Sequence, residues 1–521
     1  MVVSKIRALS RKPRQNFKAL CKYADLEARD MRDLVTLERR RTRRSSTSLL
    51  HRKHLTDLAM ALRVEQSLLR RGAWTRKRIC QFQQQRLEQL VEHAVRHSPF
   101  YRDHYRHTKI AKPLDLSALP IVTKQMVMEN FDQVITNRAL RLSNLLTHLS
   151  NLQTDEYYAN RYRCVLSSGT TGLQGLFVFN RREWATIIAA MRRASAIMSE
   201  RRRIPDGPVA TIGSATPAHL SHRIALCLAA DKSGTPILTT ASGIATLANT
   251  LNDLQPRVLR TYPSVIDLLA IEQSDGRLHI NPRLVSTFGE VLTTSTVQGV
   301  RDVWGVTPFN SFAMTEGLFG AECRFHKGLH FFDDLGILEI TDEHGRIVDS
   351  GQPGRKLLVT NLYNYTQPLI RYEVSDMATV ARHPCPCGNP FTLISQIDGR
   401  NEDVLTMVDE RGELVALHPG LLRGAISAVT GVKQFQVTWQ PTILNIKVVL
   451  RPSAIAETVT HEIRRSLRIH LETNRIFSAL VDVDIVDKLD SRNKLGKSQV
   501  VIRDDSLKPL DVATRTNRRI N

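Results

Sequence analysis

The run Cys164-Val165-Leu166-Ser167-Ser168-Gly169-Thr170-Thr171-Gly172 carries the strongest local signal in the chain: a short apolar segment enters a loop of small hydroxyl residues and glycine. Glycine lets a backbone approach a ligand and turn its N–H groups inward, and Ser and Thr hydroxyls add donors, so such a loop suits phosphate oxygens. An ordinary Ser/Thr/Gly turn has the same composition. It is not a Walker loop, because Leu173-Gln174-Gly175 follows with no Gly-Lys pair. At Gly496-Lys497-Ser498 the motif fails too, since Ser491 stands five residues before Gly496 where glycine is required. A P-loop kinase or ATPase is disfavoured.

Outward from this loop, apolar runs at Arg163–Leu166, Pro208–Ile212, Val258–Tyr262, Leu284–Phe288, Ile337–Ile340 and Lys356–Val359 alternate with helical patterns at Glu183–Met198, Ile244–Leu254 and Ser264–Glu272. Strands alternating with helices predict an α/β architecture with extensive sheets. Upstream, Leu87, Leu90, Val91, Ala94 and Val95 predict an amphipathic helix that must dock on something. From about Val404 the order strand, helix (His418–Val429), strand (Lys433–Trp439), strand (Ile443–Leu450), helix (Ala456–Thr473), strand (Ala479–Val486) predicts a small ferredoxin-like α+β domain. The expected division is a basic helical extension over 1–70, a large domain over 71–398, a hinge at 399–403, a mobile C-terminal domain over 404–505 and a tail over 506–521.

The 521 residues are 42% apolar and 24% charged, an ordinary globular balance that excludes collagen-like, low-complexity and disulfide-scaffold classes. Asp231 and Lys232 interrupt the most apolar region, so no run is long enough for a membrane span. The net charge of +22 is concentrated at the start: residues 1–110 hold 27 Lys and Arg against 10 Asp and Glu. A basic segment attracts nucleic acid, an anionic membrane or an acidic protein, or is a solvated face. Arg39-Arg40-Arg41-Thr42-Arg43-Arg44 lacks the interleaved aromatics of a single-strand binder, which speaks against nucleic acid. No signal-peptide pattern follows Met1, and seven dispersed cysteines do not make a disulfide framework, so a reducing cytoplasm is expected. Oligomeric state cannot be read.

Further motifs follow the hydroxyl-glycine loop: Gly289-Glu290, Phe312-Ala313-Met314-Thr315-Glu316, Arg371-Tyr372-Glu373-Val374-Ser375-Asp376, Gly399-Arg400-Asn401-Glu402-Asp403 and Arg492-Asn493-Lys494-Leu495-Gly496-Lys497. Each is weak alone. Their order and spacing resemble the adenylate-forming superfamily of acyl-coenzyme A ligases. Trp74-Thr75-Arg76, His97-Ser98-Pro99-Phe100-Tyr101, Leu119-Pro120-Ile121-Val122-Thr123-Lys124, Ala321-Glu322-Cys323, Gly328-Leu329-His330 and Pro368-Leu369-Ile370-Arg371-Tyr372 are similar to the phenylacetate–coenzyme A ligase subgroup and its capsular-polysaccharide-type relatives.

The resemblance implies that Ser167, Ser168, Gly169, Thr170, Thr171 and Gly172 hold ATP phosphates, Gly289 and Glu290 border the adenine, and Phe312 stacks on it. Thr315 would contact phosphate, Glu316 would hold Mg²⁺, Asp376 would accept the ribose hydroxyls, and Gly399-Arg400 with Glu402 or Asp403 would form the hinge. Lys497, with Lys494 as competitor, would stabilise charge on the transferring phosphoryl group. The residue types suit these roles: carboxylate oxygen for a hard cation, an ionised acid for two hydroxyls, an aromatic face for a base. Taken only as residue types, Phe312 also fits core packing, Asp376 a turn, Glu316 a surface charge and Lys497 a solvated lysine. The chain departs from the family in Leu173-Gln174 after the loop, in Phe312 where Tyr is common, and in Glu373-Val374-Ser375 beside Asp376.

The expected activity is ATP- and Mg²⁺-dependent activation of a small-molecule carboxylic acid, with transfer to a thiol, most simply coenzyme A. An acidic carrier-protein thiol or an amine is the alternative acceptor, and a non-catalytic binding protein the alternative class. The acid is unreadable; Ile212–His222, with His219 and His222, is nominated as a pocket wall. Cys385-Pro386-Cys387-Gly388, joined with Cys323 and His330, forms a candidate structural Zn²⁺ set, with His326 as alternative fourth ligand and reduced non-ligand cysteines as the competing reading.

Overall fold

The structure, a computed structural model, describes residues 46–167, 174–199, 207–229, 238–374, 376–400, 405–408, 410–411, 414–417, 422, 425–426, 429–440, 442–473, 476–487, 489 and 501–503, with the backbone alone at 46–52, 228–229, 398–400, 405–406, 414–417, 473 and 501–503. The expectations placed on 1–45, Ser168–Gly172, Glu402, Asp403, Lys494, Lys497 and 506–521 lie outside these residues, as does the Arg400 side chain.

A nine-stranded mixed sheet organises the large domain, in the order Asp376–Val380, Leu393–Arg400, Leu329–Phe331, Phe319–Glu322, Phe309–Ala313, Leu284–Phe288, Val258–Thr261, Val209–Gly213, Leu238–Thr239. From Phe309–Ala313 to Leu238–Thr239 neighbours run parallel; from Phe309–Ala313 the other way they run antiparallel. Helices Ile244–Leu254, Pro263–Ser274 and Thr294–Trp304 bury Leu251, Ile266, Leu269 and Val300 with Leu259 and Val285 of the parallel strands. A second core joins the sheet to helices Arg76–His97 and Arg181–Met198 through Leu87, Leu90, Trp184, Ile188, Phe319 and Phe331. The predicted helix around Leu87–Val95 thus docks as its pattern requires. Asn180 starts the Arg181–Met198 helix with a capping box, its side chain accepting from the Arg182 and Glu183 N–H groups while Glu183 Oε2 accepts from Asn180 N at 2.7 Å.

The strands on either side of the hydroxyl-glycine sequence, Tyr162–Leu166 and Leu176–Asn180, pair as an antiparallel hairpin. The strand-loop-helix geometry of a Walker site is absent here.

The N-terminal boundary differs from expectation. Helix Ser46–Arg71 packs on the large domain, and Leu58, Ala61 and Leu68 are buried in its core. Asp57 is fully buried and accepts from Arg163 Nη1 at 2.6 Å and Arg181 Nε at 2.9 Å. The helix sequence is polar on average, so a thin apolar stripe and one buried acid were hidden among surface charges. Residues 54–70 belong to the body rather than to a separate extension.

The small C-terminal unit has its own core, formed by Val437, Leu444, Ile446 and Val448 of one sheet and Val459, Ile463, Leu467 and Leu471 of helix Ala456–Thr473. Strand order is Leu480–Ile485, Ile443–Leu450, Val432–Gln440, Val501–Arg503. One element departs from the ferredoxin-like order: Leu405–Val408 pairs with Leu414–Leu417 in a local hairpin, and Val501–Arg503 takes a sheet edge instead. Of the expected helix His418–Val429, Leu422, Ala425, Ile426 and Val429 are buried in this core.

Among the described residues no helix is long and apolar enough to cross a membrane.

Candidate active site

Four parallel strands end side by side and release the chain at Ser214, Tyr262, Gly289 and Met314. Crevices outside the carboxyl ends of parallel strands are where ligands bind in open α/β sheets. Gly289-Glu290 and Thr315-Glu316 therefore stand on adjacent strand ends, with Phe312 half-buried on the last strand. Gly289 takes φ +74°, a left-handed conformation that disfavours a side chain. Glu290 accepts from Ser264 N at 3.0 Å and Ser264 Oγ at 3.2 Å, capping helix Pro263–Ser274 and fixing its own position at the rim.

Glu316 is buried on a tight turn linking Phe309–Ala313 to Phe319–Glu322. Met314 N donates to Leu318 O at 2.9 Å and Gly317 N to Met314 O at 3.0 Å. Gly317 has φ +88°, and a Cβ there would lie 2.6 Å from Tyr363 Oη, so only glycine fits. Asn361 Nδ2 donates to the Glu316 carbonyl at 2.8 Å, and Tyr363 Oη donates to the Gly317 carbonyl.

The same Asn361–Gln367 segment holds the hairpin of the hydroxyl-glycine loop. Gln367 accepts from Val178 N at 2.9 Å and donates to Leu176 O at 3.0 Å, and Asn364 Nδ2 donates to Val178 O at 3.1 Å. Buried Glu183 binds the segment from the far side, accepting from Tyr365 N and Thr366 N at 2.9 Å each. One strap of side-chain amides thus ties the loop's hairpin to the Glu316 turn. Sequence reading missed it; the only available signal was the density of Asn, Gln and Tyr between Asn361 and Gln367. At the loop base, Ser167 N donates to Gly175 O at 2.8 Å and Gly175 N to Ser167 Oγ at 2.7 Å.

Asp376 begins the edge strand of the sheet, in register with Arg400, while Met377 pairs with Gly399, so strand pairing joins it to the hinge motif. Arg371 is structural: buried at positive φ, it donates Nε to Glu339 at 3.1 Å and Nη1 to the carbonyls of Ser117 and Leu119 at 2.9 and 2.7 Å.

The nominated pocket wall is polar and ordered. His219 Nδ1 lies 2.9 Å from Ser221 Oγ, which is 3.0 Å from Tyr262 Oη, and Ser214 N donates to Ser221 Oγ at 3.2 Å. His222 Nδ1 lies 2.8 Å from the Ser214 carbonyl.

Behind this rim, burial pushes the Asp267 carboxyl up to about 7, against a hydrogen bond from Thr296 and with Glu290 adding repulsion. A carboxyl raised on folding contributes stability that is complete below about pH 4 and is lost as pH rises through about 7. Asp267→Asn is therefore expected to add stability on the order of 1 kcal/mol at pH 8, and so to raise the melting temperature there, while changing it little at pH 4. Melting curves of both proteins across this range check the sign; an equal shift at both ends would refute it.

A separate cluster joins Cys323, His330, Cys385 and Cys387, whose ligand atoms all lie within 4.8 Å of one another. Cys323 Sγ is 3.5 Å from Cys385 Sγ, and Cys387 Sγ is 3.3 Å from His330 Nε2. Ligands at about 2.0–2.3 Å around a tetrahedral Zn²⁺ sit at about these separations. Asn389 N donates to Cys387 Sγ at 3.4 Å, the outer contact a metal thiolate uses. The residues fit a closed structural site. The alternative ligand His326 is placed otherwise: its Nδ1 pairs with Glu322 at 3.1 Å and its ring packs on Phe309 at 4.7 Å.

No protein-family model matches the chain. A 2-hydroxyisobutyryl-CoA ligase, solved in its postadenylation state with 2-hydroxyisobutyryl-AMP, superposes with a TM-score of 0.63 at 20% identity, over 81% of this chain and 89% of that one. The chain has the adenylate-forming ligase fold. The same ligase in its thioesterification state, with the adenylate and CoA, gives a TM-score of 0.51 at 20% identity, over 83% of this chain and 91% of that one. In sequence, Protein CapK of Staphylococcus aureus is 22% identical over 332 residues, 62% of this chain and 68% of that protein.

Proposed function

We propose that the protein activates a carboxylic acid with ATP and Mg²⁺ as an acyl-adenylate, releasing pyrophosphate, and passes the acyl group to the thiol of coenzyme A. The observation that carries this is the strap Asn361–Gln367, which holds the Glu316 turn and the loop hairpin in one frame. Such a frame serves a ligand that spans both, as a nucleotide triphosphate does.

In this reading the loop from Ser167 to Gly172 donates N–H and hydroxyl hydrogens to the phosphates, and Thr315 adds a hydroxyl. Glu316 holds Mg²⁺, which neutralises phosphate charge. Gly289, Glu290 and Phe312 form the base pocket, Asp376 accepts the ribose hydroxyls, and Arg400 belongs to the hinge. The acid's carboxylate oxygen attacks the α-phosphorus and the α–β phosphoanhydride oxygen leaves with pyrophosphate; the CoA sulfur then attacks the acyl carbon and AMP leaves. The phenylacetate type of acid is carried by resemblance alone; cytoplasmic location rests on the dispersed cysteines, and a carrier-protein thiol as acceptor on the basic N-terminal segment. A panel of carboxylic acids scored for ATP-dependent pyrophosphate release, then for acyl transfer to CoA, tests the reading. Nucleotide binding without release from any acid would favour a non-catalytic binding protein.

The Cys323, His330, Cys385 and Cys387 cluster is proposed to hold one structural Zn²⁺ per chain. Elemental analysis of chelator-washed protein is expected to give one zinc, and Cys385→Ser with Cys387→Ser to abolish it and lower the melting temperature. Full-length protein without stoichiometric zinc would remove the site.

A further inference from the structure

Arg260, near the crevice, has a chemistry that the reaction proposed above does not use. It is the penultimate residue of strand Val258–Thr261, in register with Thr211 and Ser286 on the neighbouring parallel strands. These three share one face of the sheet, opposite the one on which Leu259 packs against the helices of the parallel half. Arg260 instead reaches helix Arg181–Met198, where Nη2 donates to Ser195 Oγ at 3.1 Å. Among the described residues no carboxylate lies within ion-pair distance of it. The nearby guanidinium, Arg192, is already engaged by Glu65 at 2.6 Å. Burial pulls Arg260 down to about 10, with Arg192 adding repulsion.

The buried arginines of this body are answered. Arg163 faces Asp57 and Asp155, Arg193 faces Asp334, Arg223 faces Asp155 at 3.6 Å, and Arg371 faces Glu339. Arg260 is half-buried, and partial desolvation of a guanidinium with no counter-ion among the described residues is costly, so a methionine-like side chain would serve packing better. Residues that cost stability in this way are expected where a ligand completes them. Arg260 retains part of its surface accessible, so a ligand can reach it. Tyr262, at the rim, is two residues further along the chain, about 7 Å at strand spacing.

We propose that Arg260, with the Ser195 hydroxyl, receives a carboxylate at the far end of the acid being activated, so that the substrate is a short dicarboxylic acid. This rests on the acid-activating function proposed above. The reacting carboxylate lies at the carboxyl ends of the strands, and the chain of the acid runs inward between sheet and helix until its second carboxylate forms a charge-assisted pair with the guanidinium. The polar Thr211 and Ser286 positions beside Arg260 suit such a group better than an alkyl or aryl tail.

The test uses full-length protein with succinate, glutarate and adipate, each against its monomethyl ester, scored by ATP-dependent pyrophosphate release. At least one diacid is expected to exceed its monoester by about tenfold or more in kcat/KM. Arg260→Met is expected to raise KM for the diacid about tenfold, to leave the monoester unchanged, and to leave the melting temperature unchanged or higher, because no native ion pair is lost. Arg260→Lys should recover part of the preference. Two results would overturn the proposal: a monoester equal to its diacid in the wild type, or a diacid preference that survives Arg260→Met. A change confined to KM for CoA would assign the guanidinium to a CoA phosphate and overturn it as well. Thermal protection separates this idea from its premise. Arg260-dependent protection by a diacid without pyrophosphate release would sink the acid-activating reading and keep the site.

Discussion

Lys497→Ala is expected to lower acyl-adenylate formation by on the order of 10²–10³-fold while leaving ATP binding and the melting temperature close to wild type. Attack of a carboxylate on the α-phosphorus gathers negative charge on the transferring group, and an ammonium placed there acts only in the transition state. Little packing is at stake. The tail re-enters described structure at Val501–Arg503, a short strand running parallel to Val432–Gln440, so Lys497 lies four residues ahead of an anchored edge. Pyrophosphate release and equilibrium nucleotide binding, measured on the same preparations, separate a lost chemical step from a lost site. Lys494→Ala is the control. If it removes adenylation while Lys497→Ala does not, the assignment shifts by three residues.

The sequence was most legible where one periodicity ruled. Leu284–Phe288, Ile244–Leu254, Ile443–Leu450 and Ala456–Thr473 match their expected bounds to the residue, because each is a run whose buried side is continuous. Gly289-Glu290 and Thr315-Glu316 were legible as motifs, and the structure adds that they occupy neighbouring strand ends. The Cys and His positions were legible as a list of ligand types, yet only folding excludes His326, which a positive φ and a contact with Glu322 turn away. What stayed hidden is polar and buried. Asn361, Asn364 and Gln367 leave no sequence signal because their partners are backbone groups up to 191 positions away. The pairing of Asp57 with Arg163 stayed hidden for the same reason: it spans 106 residues and leaves no periodic trace. The Leu405–Val408 strand was found but assigned to the wrong pairing, since a local hairpin and a sheet edge are built from the same alternation.

The hidden Asp57 also decides where the chain can be cut. Residues 1–53, which hold 16 Lys and Arg against 5 Asp and Glu, match no ligase motif, and a protein beginning at His54 is expected to fold and to adenylate. Such a protein keeps Leu55, Leu58, Ala61 and Leu68, and it keeps the His54 Nε2 contact with Asp155 at 2.8 Å. A protein beginning at Gly72 loses all of them. Three buried leucines contribute about 1.5–3 kcal/mol each, and removal of Asp57 leaves Arg163 and Arg181 short of a partner at a further 3–5 kcal/mol or so. The total is of the size of a domain's whole stability, about 5–15 kcal/mol, so the shorter protein is expected to be unfolded or insoluble. Asp57→Ala in the full chain isolates the electrostatic part. Burial opposes ionisation of Asp155, but Arg163, His54 and Arg223 outweigh it and hold its carboxyl well below the usual range, so Arg163 keeps one strong partner and the variant still folds with a lowered melting temperature. Any loss of salt-sensitive binding to an acidic carrier protein, anionic vesicles or nucleic acid should then follow the cut at His54 and not Asp57→Ala, because long-range attraction by 1–53 weakens as the Debye length falls from about 30 Å at 0.01 M to about 10 Å at 0.1 M salt. A soluble, adenylating protein that begins at Gly72 would show that the first helix rests on the body without holding it together.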